Sequence, residues 1–202
     1  MADAMTISRS MIRSVKKSSF AELGMSIRSF WRWADPGFGD AFNWLIANAA
    51  DLPGAEQIWG SRHKKVFKLS LPGELGGKCV VFKHYRGEKV LRYLFAPSKT
   101  AREAANYRTL AKLGLPMAKL LAAGDDRRHF RLESSYLVTE FAAGCLDGRA
   151  YMPGGEFRER TAWRREFVLR NMDCIGRTHR VHCFHKAFTP MNLLWKPEEG
   201  AD

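Results

Sequence analysis

Two alternating segments, Val66-Phe67-Lys68-Leu69-Ser70-Leu71 and Cys79-Val80-Val81-Phe82-Lys83-His84-Tyr85, bracket a short turn, Pro72 to Gly77, that holds three glycines. Period-two alternation rich in β-branched and aromatic residues predicts strands, and a turn this short joins them only as an antiparallel hairpin. The later segments must pack on that hairpin. Ser98 to Leu113 reads as a helix, capped by Ser98, stopped by Gly114, and with Tyr107 and Leu110 facing inward. Leu120 to Gly124 and Tyr136 to Phe141 read as two more strands around a charged turn, Asp125 to Arg128. After Gly144 the pattern turns helical, and Phe157 to Val181 holds one or two helices with Phe167, Met172 and Ile175 as an apolar stripe. The order of hairpin, helix, two strands, hinge and long helix predicts an α+β fold, with an antiparallel sheet in a small first lobe and helices after it.

The start of the chain is different in character. Residues 1–33 carry Arg9, Arg13, Lys16, Lys17, Arg28 and Arg32 against only Asp3 and Glu22, with apolar residues at loosely helical spacing. Two readings fit: a helix lying on a membrane surface, or a frayed extension with a solvated charge run. Ala41 to Ala50 reads as a short helix. The expected organisation is thus a basic helical extension over 1–49, a sheet lobe over 50–142 and the start of a helical lobe over 143–202.

Charge narrows the partners. A net charge of +12 favours anions: nucleotide phosphates, nucleic acid or an anionic membrane face. Cys79, Cys145, Cys174 and Cys183 form no Cys-x-x-Cys pair, so reduced thiols in a cytoplasmic protein are expected, and the basic charge adds contact with a membrane surface. No run approaches the roughly 18 apolar residues of a membrane span.

The chemistry is written near the end. His185-Lys186-Ala187-Phe188-Thr189-Pro190-Met191-Asn192 has the spacing of a kinase catalytic loop, His-x-Asp, four residues, then Asn. Phosphoryl transfer needs positioning and charge neutralisation more than covalent chemistry. It uses a Lys on a strand for the α- and β-phosphates, a Glu on the next helix to hold that Lys, and a loop Asp to take the acceptor's proton. Lys83 ends Val80-Val81-Phe82-Lys83, and Glu103 follows on the next helix. Glu140-Phe141-Ala142 closes the last strand as a hinge whose backbone would meet adenine. Asn192 is spaced to hold a metal, and Ile175-Gly176-Arg177-Thr178-His179, ahead of His185, approximates the Leu-His that precedes such loops in sugar and antibiotic kinases.

These stretches, with Leu113-Gly114-Leu115-Pro116 running toward Leu121-Ala122-Ala123-Gly124, resemble the bacterial lipopolysaccharide core (heptose/Kdo) kinases over about residues 55–202. The resemblance implies a protein-kinase-like fold with an incomplete helical C-lobe. It implies ATP and Mg²⁺ as cofactors, and phosphorylation of a sugar hydroxyl of the lipopolysaccharide core. It makes Lys83, Glu103, Glu140 and Ala142 nucleotide-binding, Asn192 a metal ligand, His185 structural and position 187 the catalytic Asp. Choline and aminoglycoside phosphotransferases share the loop, so reaction class is better defined than substrate class.

Three features depart from the pattern. Ala187 stands where the Asp belongs, and its methyl group neither accepts a proton nor orients a hydroxyl. No Asp-Phe-Gly follows Asn192 before the sequence stops at Asp202, and Ile58 to Lys65 has one glycine where protein kinases have three. The first two favour a pseudokinase or truncated remnant that binds nucleotide or a partner, and they predict exposed apolar surface on the helix around 165–181. Two other classes compete. Arg158, Arg160, Arg164, Arg165 and Arg170 with Trp163 and Phe167 could grip a nucleic acid, although no nucleic-acid-binding fingerprint is present. His179, His182, Cys183 and His185 could present imidazoles to a Zn²⁺, although no carboxylate or second Cys accompanies them.

Overall fold

The computed structural model describes residues 28–86, 93, 96–115, 117–128, 131–180 and 193–196. The expected loop residues His185, Ala187 and Asn192, together with His182, Cys183 and the basic stretch before residue 28, lie outside the described residues.

Six strands form one antiparallel sheet: β1 (Arg28–Ala34), β2 (Glu56–Gly60), β3 (Lys64–Ser70), β4 (Cys79–Arg86), β5 (Leu120–Arg128) and β6 (Arg131–Glu140), in the order β1-β5-β6-β4-β3-β2. Helix α1 (Gly39–Ala47) follows β1, and α2 (Lys99–Lys112) lies between β4 and β5. The expected hairpin is β3–β4, with Phe67 opposite Phe82 and Val66 opposite Lys83. Its turn needs two residues in the left-handed region, supplied by Gly76 (φ 93°) and Gly77 (φ 60°).

Two expectations are corrected here. Arg28–Ala34, read as part of a helical extension, is a strand that pairs along its whole length with β5. Its Phe-Trp-Arg-Trp run carries wide aromatic rings that suit a sheet edge better than a helix. Asp125 to Arg128, read as a turn, continue β5, because their polar groups find partners across the sheet: Tyr136 donates to Asp126 at 3.0 Å and Arg32 pairs with it at 3.3 Å. Gly124 allows this join. A β-carbon there would lie 2.9 Å from the Trp31 carbonyl oxygen and 3.2 Å from the Phe42 ring, so β1 and α1 close on the sheet only over a glycine.

The period-two pattern divides the sheet into two faces. On one face α1 buries Phe38, Phe42 and Leu45 against Leu69, Phe82 and Val138. On the other, α2 places Ala104 against Leu120, Ala123 and Leu137, with Tyr107 and Trp33 packed at the margin. Beyond β6, the short strands β7 (Leu146–Asp147) and β8 (Leu194–Trp195) pair with each other, and α3 (Thr161–Arg180) comes after a 3₁₀ turn at Gly148–Tyr151. Tyr151 is the centre of this region, with ring centroids of Phe167 at 5.0 Å and Trp195 at 5.1 Å. The apolar stripe read on α3 is split. Phe167 is buried, whereas Met172 is 60% exposed beside Val168 and Leu169.

His84, on the α1 face, is 3% exposed and accepts from Arg86 Nε at 3.3 Å. Burial, then the Arg86 and Lys65 cations, hold its pKa at about 4, against a backbone hydrogen bond to Ala49 and the Asp126 charge. The unfolded chain therefore takes up a proton near pH 6.5 that the folded chain refuses until about pH 4. The resulting stability is complete above pH 6.5 and is lost as pH falls toward 4, with a ceiling of about 3 kcal/mol. Urea midpoints should fall across that window, and His84→Gln should flatten the fall. An unchanged slope in the variant would assign the transition to other groups.

Candidate functional site

Lys83 and Glu103 meet on the α2 face. Lys83 Nζ donates to Glu103 Oε1 at 2.7 Å, and the second carboxylate oxygen accepts from Tyr85 at 3.1 Å. The sequence builds this from both sides. Alternation along β4 turns Lys83 and Tyr85 to one face while Phe82 and His84 go to the other. The first turn of α2 is pinned to the sheet: Ser98 Oγ accepts from the Ala101 N–H at 2.9 Å and donates to Asp125 Oδ1 at 2.6 Å, and Thr100 donates to Ser135 at 2.8 Å. Glu103 sits one turn further along, over Lys83. Arg127 braces the approach to α2 through the carbonyls of Tyr93 (2.5 Å) and Ala96 (3.3 Å).

The pair is electrostatically locked. Burial alone would lower the Lys83 pKa, but Tyr107 and the Glu103 carboxylate raise it above its ordinary value. Burial alone would raise the Glu103 pKa, but Lys83, Tyr85 and Lys64 pull it below the ordinary carboxylate range. Both groups are charged at neutral pH, and the side chains keep 20% and 26% exposure, so the ammonium is open to a ligand.

More cations converge there. Lys64, on β3 opposite Tyr85, has its Nζ 5.5 Å from the Tyr85 ring centre and 4.9 Å from that of Trp59. Lys99 Nζ lies 5.2 Å from the same Tyr85 ring. Burial, then the Lys83 charge, depresses the Lys64 pKa, with Lys99 adding to the effect against Glu103. Tyr85 and Lys99 were not among the expected site residues, and Lys64 was expected only as one of the basic residues of the 58–65 stretch. The signal for Tyr85 was its two-residue spacing from Lys83. Lys64 is placed by cross-strand register, which no single strand reveals.

The hinge residues Glu140 and Ala142 lie at the end of β6. The Glu140 N–H donates to Lys119 O at 2.9 Å and the Phe141 N–H to Cys79 O at 3.1 Å, while Ala142 O accepts from Cys145. The Ala142 N–H makes no backbone hydrogen bond among the described residues. Glu140 itself is exposed. Just after the loop, Leu193 O accepts from the Gly148 N–H at 3.0 Å and Trp195 O accepts from Tyr151 at 3.2 Å. Leu193 and Trp195 are therefore tied to the 3₁₀ turn at Gly148–Tyr151.

The competing sites fare differently. Several of the arginines near α3 are occupied locally: Arg158 pairs with Glu159 at 2.9 Å, Arg170 with Glu166 at 2.5 Å, and Arg160 lies over the Trp163 ring. Trp163 packs edge-on against Phe157 and Phe167 is buried, so these rings do not form an open stacking platform. Among the described residues no group of three or more His, Cys, Asp or Glu could hold a metal ion. Nor is any described helix long and apolar enough to cross a membrane.

A half-buried ammonium braced by a helical carboxylate is chemically suited to holding a polyphosphate. Comparison with known sequences points the same way. No curated protein matches the chain. The sequence model of the lipopolysaccharide kinase (Kdo/WaaP) family matches residues 79–202, more than half of the chain and inclusive of Lys83, Glu103, the hinge and the loop. The chain has the α+β, protein-kinase-like fold and belongs to the lipopolysaccharide kinase (Kdo/WaaP) family.

Proposed function

We propose that this chain binds ATP on the α2 face of its sheet and that its site is built to pass the γ-phosphate to a sugar hydroxyl of the lipopolysaccharide core. The observation that carries this is the Lys83–Glu103 pair at 2.7 Å in a chain of this family. Lys83 holds the α- and β-phosphates, and Glu103 keeps its ammonium charged and aimed. The Glu140 carbonyl and the Ala142 N–H meet the adenine edge, and Val66, buried on the same face as Lys83, supplies an apolar wall. Asn192 would hold Mg²⁺, which when bound would supply neutralisation of the phosphate charge, and His185 would shape the loop.

In the transfer, the acceptor oxygen bonds to the γ-phosphorus, the bond from that phosphorus to the bridging oxygen breaks, and ADP leaves. The hydroxyl proton then needs an acceptor. Ala187 supplies none, so the proton goes to solvent and turnover is slow. This single residue favours a second reading in the same fold, a nucleotide binder without turnover. A lipid-linked anionic substrate suits the +12 chain and places it peripherally at the inner membrane face.

Equilibrium binding of ATP with Mg²⁺, then ATP consumption on inner-core sugars, separates the readings. Binding with slow consumption supports the kinase, and binding with none supports the second reading. An absence of ATP binding, with tight salt-labile binding of oligonucleotides instead, would replace both with the nucleic-acid class.

A further inference from the structure

We propose that Lys64 and Lys99, flanking the Tyr85 ring beside Lys83, form a second phosphate-holding position in this site. The proposal rests on the nucleotide reading of Lys83 and Glu103 and extends it to two residues outside that pair.

Tyr85 is 3% exposed, with its hydroxyl on Glu103, and the Lys64 and Lys99 ammonium groups lie 5.5 and 5.2 Å from its ring centre. The two lysines reach this spot from different elements, Lys64 from β3 and Lys99 from the first residue of α2. The pinning of that first turn through Ser98 and Thr100 fixes where Lys99 stands.

Charge is out of balance at this spot. Three ammonium groups surround a single carboxylate, Glu103, and its two oxygens are already engaged by Lys83 and Tyr85. Among the described residues neither Lys64 nor Lys99 forms an ion pair, although Lys68 and Lys119 both do. Like charges gathered beside a half-buried pair repel one another; the Lys64 pKa is lowered first by burial and then by the Lys83 and Lys99 charges. A polyanion relieves it. Tyr85 adds to the design, since its ring face attracts both cations and keeps them from folding away into water. Phosphate matches three convergent ammonium groups in charge, where a single carboxylate does not.

Two sources could supply that phosphate: the terminal phosphates of the nucleotide, or a phosphate already on the acceptor sugar. The test is equilibrium binding to the full chain of ATP, AMP, inorganic tripolyphosphate and a sugar monophosphate, using Lys64→Met, Lys99→Met and Lys64→Arg. Thermal melts check that each variant is folded. Each Met variant is expected to weaken ATP and tripolyphosphate about tenfold and AMP far less, with Lys64→Arg retaining the affinity. Loss on the sugar monophosphate alone also supports the site and assigns it to the acceptor.

Affinities for all phosphate probes within about twofold of the parent chain, a range too small for a lost charged hydrogen bond, would overturn the proposal. Equal losses in Lys64→Arg and Lys64→Met would do the same, by showing a packing role. Lys83→Ala serves as the control for the underlying reading. If it abolishes ATP binding while the Met variants do not alter it, only this inference fails. If it leaves ATP untouched, the nucleotide reading fails, and the dependence of tripolyphosphate on Lys64 and Lys99 decides the phosphate position by itself.

Discussion

Ala187→Asp is expected to raise phosphate transfer to lipopolysaccharide core sugars by about 10²–10⁴-fold, the span that a positioned general base typically contributes. The substitution returns the one group whose chemistry a methyl cannot imitate, a carboxylate that orients the acceptor hydroxyl and takes its proton as the oxygen attacks. Nucleotide affinity should barely change, because the loop Asp acts on the acceptor rather than on the adenine or the α- and β-phosphates. The gain should therefore lie in kcat and not in KM for ATP. ATP consumption measured with and without the acceptor checks this. The acceptor-dependent rate should rise, while acceptor-free hydrolysis serves as the baseline. A rate that stays flat, with ATP affinity intact, would remove position 187 from the chemistry and leave the chain a nucleotide binder.

Lys83→Ala should weaken ATP binding by about 10²-fold or more, from the loss of charge-assisted hydrogen bonds to phosphate. A second effect adds to the first. Removing the ammonium leaves the Glu103 carboxylate half-buried, 26% exposed, with only Tyr85 hydrogen-bonded to it, and that carboxylate then repels the incoming phosphates. Stability should fall as well, which alone would confuse the reading. The double variant Lys83→Ala, Glu103→Ala separates the two effects. Without a stranded charge its melting temperature should recover most of the loss, while ATP affinity stays low. Glu103→Gln should cost less, about tenfold, since Lys83 remains and loses only its brace. If ATP binds Lys83→Ala as it binds the parent chain, the α2 face of the sheet is not the nucleotide site.

The pH behaviour of the pair arises from the same contacts. Glu103 is held below its ordinary range, so its contribution is present above the unfolded carboxylate pKa and disappears as pH drops through the lower folded value. Lys83 is held above its ordinary value, so its contribution is present below the unfolded lysine pKa and disappears as pH rises through the higher folded one. The ion pair therefore spans neutral pH, and His84 adds an expected acid-side loss between pH 6.5 and about 4.

Much of the small lobe was legible in the chain. The β3–β4 hairpin shows in its alternation and glycines, α2 in its Ser98 cap and Gly114 stop, and both elements appear close to where they were expected. These are local signals, each contained in a few neighbouring residues. Strand β1 was missed because its basic residues resemble a solvated extension until β5 is seen beside it. The length of β5 was missed because Asp125 and Asp126 look like turn residues when their partners Ser98, Arg32 and Tyr136 are distant in sequence.

The site divides along the same line. Residue order and spacing in the sequence already carried the candidate chemistry: a lysine within a strand, a glutamate on the next helix, and a loop whose alanine stands in an acid's place. Only the folded sheet decided that Lys64 faces Tyr85 across two strands and that Ser98, bound to Asp125, sets Lys99 and Glu103 above Lys83. The physical reason is range. Propensity and period act over one or two turns of backbone, whereas the electrostatics of this site come from charges that meet only after strands distant in the chain have paired.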